Sequence, residues 1–390
     1  MSLYKRKEDG KWRVQISYKD KEGRYRHISR TARTRKEAVA LEAALRAQMN
    51  GSTDPHTTLN AVAIAFLDRI RRTRRESTYF FYEKIVRINI LPHLGDLPVI
   101  RIGVADIERW KSTLDGKGLG LPYLKRIFKV LRQLFHFAEQ EFSLCNREQG
   151  RASNFTEDPN SVHADPPLRY WTIEQFWRWE KAANEAIEKE GEKGKNTQLL
   201  SHARLLVLVL FFAGMRKGEA NALKVTDFHD GEYPFLSVTK SLCQKIRGKP
   251  YVITNPKNRS SVRDVPIPSL LAEELRRNVE ALRRMPYYSE EWFLVGGPKP
   301  VADTTLEVFK DECERIAGIP HIRVHDLRHS YVSMLINAGT EVPVIASLVG
   351  HATPEITMRV YAHIFPKKRN AAVVTIDRMV EGRKKKGGQI

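Results

Sequence analysis

The chain has 390 residues, 42% of them apolar and 29% charged, enough for substantial cores and too long for one domain of ordinary size. Its 66 Lys and Arg against 46 Asp and Glu leave a formal net charge of +20, which implies a polyanionic partner, nucleic acid before an anionic membrane. The longest apolar run, residues 205–213, falls far short of the roughly 20 a span needs. The opening MSLYKRKEDGKW lacks the apolar core of a secretion signal, and Cys145, Cys243 and Cys313 show no CxxC spacing, so a soluble, cytoplasmic chain without a membrane partner is expected.

Residues 1–50 carry 14 Lys or Arg against 6 acids, a net charge of +8. Trp12, Val14, Ile16 and Tyr18 alternate at the strand period, Lys19-Asp20-Lys21-Glu22-Gly23 reads as a turn, and residues 24–29 as the next strand. Thr34 and Glu37 make a capping-box pattern ahead of an alanine-rich helix over 38–48. Aromatics Trp12, Tyr18 and Tyr25 set among Arg and Lys favour a small sheet with a basic, DNA-facing side over a merely solvated hairpin.

Gly51-Ser52-Thr53-Asp54-Pro55 is a linker by composition. Residues 58–142 read as all-helical: Leu59, Val62, Phe66 and Ile70, and later Ile127, Leu131, Leu134 and Ala138, keep the 3–4 spacing of a buried face. Pro92 with Gly95, and residues 116–122, punctuate this bundle. The run 69–75 holds five arginines, a solvated helix end or a phosphate-facing patch. A polar linker over about 146–167 precedes a second capping-box pattern, Thr172 with Gln175. An apolar helix over 204–212, a strand-and-turn region over 234–268 and helices from about 270 to 365 follow. The tail from Lys367 has eight Lys or Arg against two acids, and its KKKGGQI end is expected to be disordered.

Four stretches carry chemistry. In Ala213-Gly214-Met215-Arg216-Lys217-Gly218-Glu219 a buried helix stops at a glycine suited to the left-handed position past a helix end, and an arginine follows at once. In His325-Asp326-Leu327-Arg328-His329, His325 and Arg328 share a helix face and can point at one anion. His325 and His329 also make half a zinc site, but HExxH is absent and the arginine would repel a dication. Leu348-Val349-Gly350-His351 is followed ten residues later by Tyr361, in Val360-Tyr361-Ala362-His363. Asn255-Pro256-Lys257-Asn258-Arg259-Ser260-Ser261 is a turn between β-rich segments 251–254 and 262–267 and presents Lys257.

Singly, each has an ordinary structural explanation. Together, Arg216, Lys257, His325-x-x-Arg328, His351 and Tyr361 stand in the order and spacing of the tyrosine recombinases, the phage-type integrases, which the chain resembles over about residues 168–375. AGMRKGE, HDLRH, LVGH and RVYAH resemble the four signature stretches of that family, with Met215 and Val349 where leucine is more usual.

The resemblance implies a multidomain, mainly α fold with small β-sheets. An arm-type DNA-binding domain (three-stranded sheet plus helix) at 1–50 is expected before a helical core-binding domain at 58–145. A mixed α+β catalytic domain at 168–380 and a basic tail at 381–390 complete it. Tyr361 would attack a DNA phosphate in line, giving a 3′-phosphotyrosine and a free 5′-hydroxyl. Arg216 and Arg328 would bind the non-bridging oxygens, which a planar guanidinium grips better than an ammonium. His325 and His351 would add hydrogen bonds or help move the tyrosine proton, and Lys257 would protonate the leaving 5′ oxygen.

No metal, nucleotide or other cofactor is called for, since the covalent bond keeps the phosphodiester energy. Glu219, Asp264 and Asp326 read as orienters of basic side chains. The implied partners are double-stranded DNA attachment sites, further copies of the chain forming a tetramer on DNA, and an accessory DNA-bending or directionality factor. Residues 371–380 either close their own domain or pack on a neighbouring protomer. The competing readings are a type IB topoisomerase-like relaxing enzyme, a non-catalytic DNA-binding regulator and a metal nuclease built on His325 and His329.

Overall fold

Apolar alternation gives the N-terminal strands one buried face. The computed structural model describes residues 3–6, 8–19, 24–49, 55–146, 168–244, 248–256 and 259–361. In it β1 (Leu3–Lys5), β2 (Trp12–Lys19) and β3 (Tyr25–Ala32) form an antiparallel sheet in that order, with Val14 opposite Leu3 and Arg30. Val14 and Ile16 turn inward onto Ala38, Leu41 and Leu45 of α1 (Arg35–Met49). Thr34 Oγ1 accepts the Glu37 amide at 3.2 Å, as the capping pattern predicts, but the Glu37 carboxylate takes the Arg33 amide (2.8 Å).

The face of the sheet turned away from Val14 and Ile16 carries Arg13, Ser17, His27 and Ser29. Arg13 Nε donates to Ser29 Oγ at 2.6 Å, and Ser17 Oγ bonds His27 Nδ1 at 2.8 Å. Tyr25 is exposed, whereas Trp12 shares the parity of Val14 and Ile16 and packs on the core.

The helical part comprises α2 (Leu59–Thr73), α3 (Glu76–Ile85), α4 (Leu91–Leu94), α5 (Val104–Asp115) and α6 (Leu121–Phe142). Leu59, Val62 and Phe66 meet Ile127, Leu131, Leu134 and Ala138 in one core, with Ile70 at its margin. Buried Trp110 keeps its indole N–H satisfied by donating to Asn89 O at 2.6 Å. Ile64 of α2 joins the core under the sheet, so the sheet, α1 and the bundle belong to one compact unit, Met1–His163. The arginine run is largely engaged: Arg69 pairs with Glu141 (2.7 Å), Arg72 with Asp68, and the Arg71 guanidinium lies 5.7 Å from the Tyr79 ring centre.

The second unit, Ala164–Ile390, opens with α7 (Ile173–Glu192). Its predicted capping box is formed: Thr172 Oγ1 accepts the Gln175 amide (3.3 Å) and Gln175 Oε1 the Thr172 amide (2.9 Å). From Leu205 onward the helix α8 (Gln198–Ala213) is apolar on every side and can only run through the centre. The short α9 (Lys217–Ala220) follows, and α7, α10 (Ser269–Arg283), α11 (Asp303–Ala317) and α12 (Asp326–Ala338) pack around α8. Phe176 stacks on Phe211 with ring centres 4.1 Å apart.

The strands between α9 and α10 make two sheets: β4 (Phe228–His229), β5 (Phe235–Val238) and β8 (Arg263–Pro266) in one, β6 (Ser241–Cys243) and β7 (Val252–Thr254) in the other. The strands flanking Lys257, β7 and β8, therefore pair with different partners, and the turn between them crosses from sheet to sheet instead of closing a hairpin. Two short helices, α13 (Val342–Val349) and α14 (Pro354–Tyr361), finish the described chain. The predicted tail segments 371–380 and 381–390 lie outside the described residues. Among the described residues no helix is long and apolar enough to cross a membrane.

Candidate active site

The central helix delivers the first arginine. Gly214 ends α8 with φ of 59°, and a Cβ there would meet the Tyr331 ring at 2.1 Å, so both conformation and packing require glycine. The chain turns through buried Met215 to Arg216 at the N-cap of α9. Glu219, in the first turn of α9, reaches back: Oε2 accepts the Arg216 amide (3.1 Å) and Oε1 its guanidinium (2.6 Å). Arg216 Nη2 also donates to Gly350 O at 3.2 Å.

Glu219 holds a second guanidinium, Arg263 of β8, at 3.0 Å, and Arg263 Nε donates to Leu348 O at 2.7 Å. Burial pushes the Glu219 carboxyl up, but Arg263 and then Arg216 outweigh it and hold it below its ordinary value. Glu219 is thus the orienter its position suggested. Arg263, which ties β8 to α9 and α13, escaped sequence reasoning because strand alternation says nothing about which outward residue meets another element.

His325 is the N-cap of α12 and Arg328 stands in its first turn. Arg328 is only 4% exposed; Nη1 donates to Gly214 O at 3.0 Å, while Nη2 is buried without a hydrogen-bond partner among the described residues. Burial, and then the nearby Arg216, push its pKa down to about 9. Asp326 does orient a basic side chain, Arg323, through bonds of 2.8 and 3.1 Å. Asp264 accepts from Ser237 Oγ at 2.7 Å, since β8 turns it toward β5.

Gly350 closes α13 in the left-handed region and hands the chain to His351, whose Nδ1 lies 2.7 Å from Thr357 Oγ1. Burial, then Arg328 and Arg216, push His351 down to about 4. Burial, then Arg328, also lower His325. Tyr361, the last residue of α14, is 1% exposed among Tyr331, Val332, Ile336, Ile345 and Val349. Its Oη lies 2.6 Å from Nδ1 of His329. Burial raises the tyrosine pKa above its ordinary 10.0, against the pull of Arg328.

Arg216, His325, Arg328, His351 and Tyr361 are therefore brought to one electrostatically coupled site. Lys257 lies outside the described residues. His329 faces Tyr361, a placement its spacing from His325 did not reveal. The His325 and His329 rings meet edge to face at 5.3 Å, and His329 Nδ1 is taken by the tyrosine. Among the described residues one group has metal-like geometry, Asp311, Glu314 and His321, and there the buried Lys310 ammonium already sits 2.7 Å from Asp311 and 2.6 Å from Glu314. Two of the site's guanidiniums, Arg216 and Arg263, share the Glu219 carboxylate while the third, Arg328, bonds a backbone carbonyl, a surplus of positive charge suited to a phosphodiester.

Comparison with known proteins agrees with this chemistry. The sequence model of the Phage integrase family matches residues 184–368, and that of the Arm DNA-binding domain matches residues 2–49. The chain is 27% identical to a protein named tyrosine recombinase XerC-like from Caldanaerobacter subterraneus, covering 79% of each. It is 26% identical to the ICEBs1 integrase of Bacillus subtilis, over 96% of this chain and 98% of that one.

Its fold is similar to that of the Tn1549 transposon integrase solved with a circular intermediate DNA (TM-score 0.64, 20% identity, 82% of this chain and 99% of that one). It is also similar to lambda integrase solved as a tetramer on a Holliday junction (TM-score 0.53, 16% identity, 90% and 96%). With a Phage integrase family domain spanning Arg216 to Tyr361 and an arm domain ahead of it, the chain is a site-specific DNA recombinase of the tyrosine recombinase type, an enzyme that transfers DNA strands.

Proposed function

We propose that Tyr361 is the nucleophile of this recombinase, cutting one DNA strand to a 3′-phosphotyrosine and a free 5′-hydroxyl. Arg216 and Arg328 bind the non-bridging phosphate oxygens, and His351 and His325 complete the cradle. The observation that carries this reading is Arg328: a guanidinium 4% exposed, with one nitrogen lacking a partner among the described residues, is costly unless an oxyanion completes it. Lys257 keeps, on its place in the motif order, the role of acid toward the leaving 5′ oxygen. The partners are duplex attachment sites, with the arm domain making a second DNA contact. Four copies act together, as in the lambda integrase tetramer. An accessory bending or directionality factor and action at the nucleoid belong to the same reading.

Trapping on a nicked attachment-site duplex tests it. The wild-type chain should form an SDS-resistant adduct in excess EDTA and without nucleotide, and Tyr361→Phe should bind the duplex and form none. An adduct with the Phe variant moves the nucleophile elsewhere. A 5′-thiolate leaves without a proton, so a bridging-sulfur substrate should restore cleavage by Lys257→Ala and not by Arg216→Ala. Impaired Lys257→Ala without sulfur rescue would make the lysine a phosphate contact.

A further inference from the structure

We propose that His329, and neither His325 nor His351, takes the proton from Tyr361 as its oxygen attacks. The inference rests on Tyr361 being the nucleophile. His329 Nδ1 and Tyr361 Oη are 2.6 Å apart, well within reach for proton transfer. His351 Nδ1 is already engaged by Thr357 Oγ1 at 2.7 Å, and His325 meets His329 edge to face at 5.3 Å.

The groups facing His329 are Asp326, His325, Arg323 and Arg328 from its own helix and the turn before it, Tyr361 from α14 and His351 ahead of that helix. Burial and then His325 push its pKa down to about 4, so at neutral pH the imidazole is neutral with a lone pair free on Nδ1 once Nε2 carries the hydrogen. That nitrogen lies 4.0 Å from Asp326 Oδ1, and the buried carboxylate stabilises the imidazolium as it forms.

The step balances as follows. The bond from Oη to phosphorus forms while the bond from phosphorus to the 5′ oxygen breaks. The tyrosine proton passes to His329 Nδ1, and the leaving oxygen takes its proton from a separate acid, Lys257 in the present reading. Religation returns both protons. No redox partner enters. His329 touches the reacting oxygen and is a catalytic residue in that sense, whereas Asp326 acts through it.

Two variants test the proposal on the nicked duplex, with ordinary and bridging-sulfur substrates. His329→Asn puts an amide near the position of Nδ1 that can hydrogen-bond Tyr361 but cannot take its proton; His329→Ala removes both functions. Both should bind DNA as the wild-type chain does and lose about 10²–10⁴-fold in single-turnover cleavage. Sulfur should not rescue them, since the leaving group is not what they lack. Their rates should climb with pH between about 6 and 9, where the wild-type rate is flat, because hydroxide replaces the missing base.

Near wild-type cleavage by His329→Asn overturns the proposal, since a hydrogen bond alone would then suffice. So does sulfur rescue, a wild-type pH profile in both variants, or loss of DNA binding by both, which would make His329 structural. An adduct formed by Tyr361→Phe instead overturns the nucleophile reading, whatever His329 does.

Discussion

In the first unit a cation is commonly found beside a carboxylate near the surface: Arg30 with Asp68 at 2.8 Å, Arg69 with Glu141 at 2.7 Å, Lys36 with Asp96 at 3.0 Å. In the second, Arg328 has no ion-pair partner among the described residues and is almost wholly buried, and Arg216 and Arg263 divide a single carboxylate. Charges of the first kind interact through water and contribute little to stability. Those of the second kind are held away from water at a cost, and that cost is recovered only when an anion enters. In a chain of net charge +20, a run of arginines thus does not mark where positive charge goes unneutralised.

Three substitutions can break that comparison. The largest effect is expected for Glu219→Gln, which leaves two guanidiniums around a neutral amide in a buried site. Breaking such a pair costs about 3–5 kcal/mol, to be read by urea unfolding. Because the Glu219 carboxyl titrates below its ordinary 4.5 when folded, its contribution is fully present above that pH and lost as pH falls through the lower folded value. The gap between wild type and variant should therefore narrow in acid, and a constant gap would show that packing, not charge, is at stake.

Next is Arg328→Met. Cleavage should fall about 10²–10³-fold, while thermal stability is not lowered, because methionine removes a buried charge along with the hydrogen bond to Gly214 O. A sharp drop in Tm would make Arg328 a structural residue and erase the contrast. The smallest effect belongs to Lys36→Ala, whose pair with Asp96 is 78% and 76% exposed; unfolding free energy should move by no more than about 0.5 kcal/mol.

What was legible in the sequence was local. The capping box at Thr172, the glycine stop at Gly214 and the all-round apolar part of α8 follow from patterns spanning a few residues, and the structure has each of them. The burial of Val62, Phe66 and Leu131 likewise follows from 3–4 spacing. The contacts that organise the site join residues far apart in the chain: His329 with Tyr361, Arg263 with Glu219, Arg216 with Gly350. Tertiary packing decides such pairs, and no periodicity encodes them. The same limit applies to the β-rich segments on either side of Lys257, whose pattern does not say that β7 and β8 belong to different sheets.

Gly350 shows what a motif glycine is for in this molecule. A Cβ built on it would come within 2.9 Å of both Arg263 Nη1 and Ser260 O, on a backbone with φ of 68°. In loops that cradle nucleotides, glycine keeps space open for the ligand. Here the vacant volume is filled by a neighbour's guanidinium, and the glycine carbonyl holds another, Arg216. Any side chain at this point would be read out two elements away, as a shift of the arginines before it touched His351. The position is therefore intolerant of substitution for an architectural reason, and a library varied at residue 350 should lose arginine registry ahead of affinity for DNA.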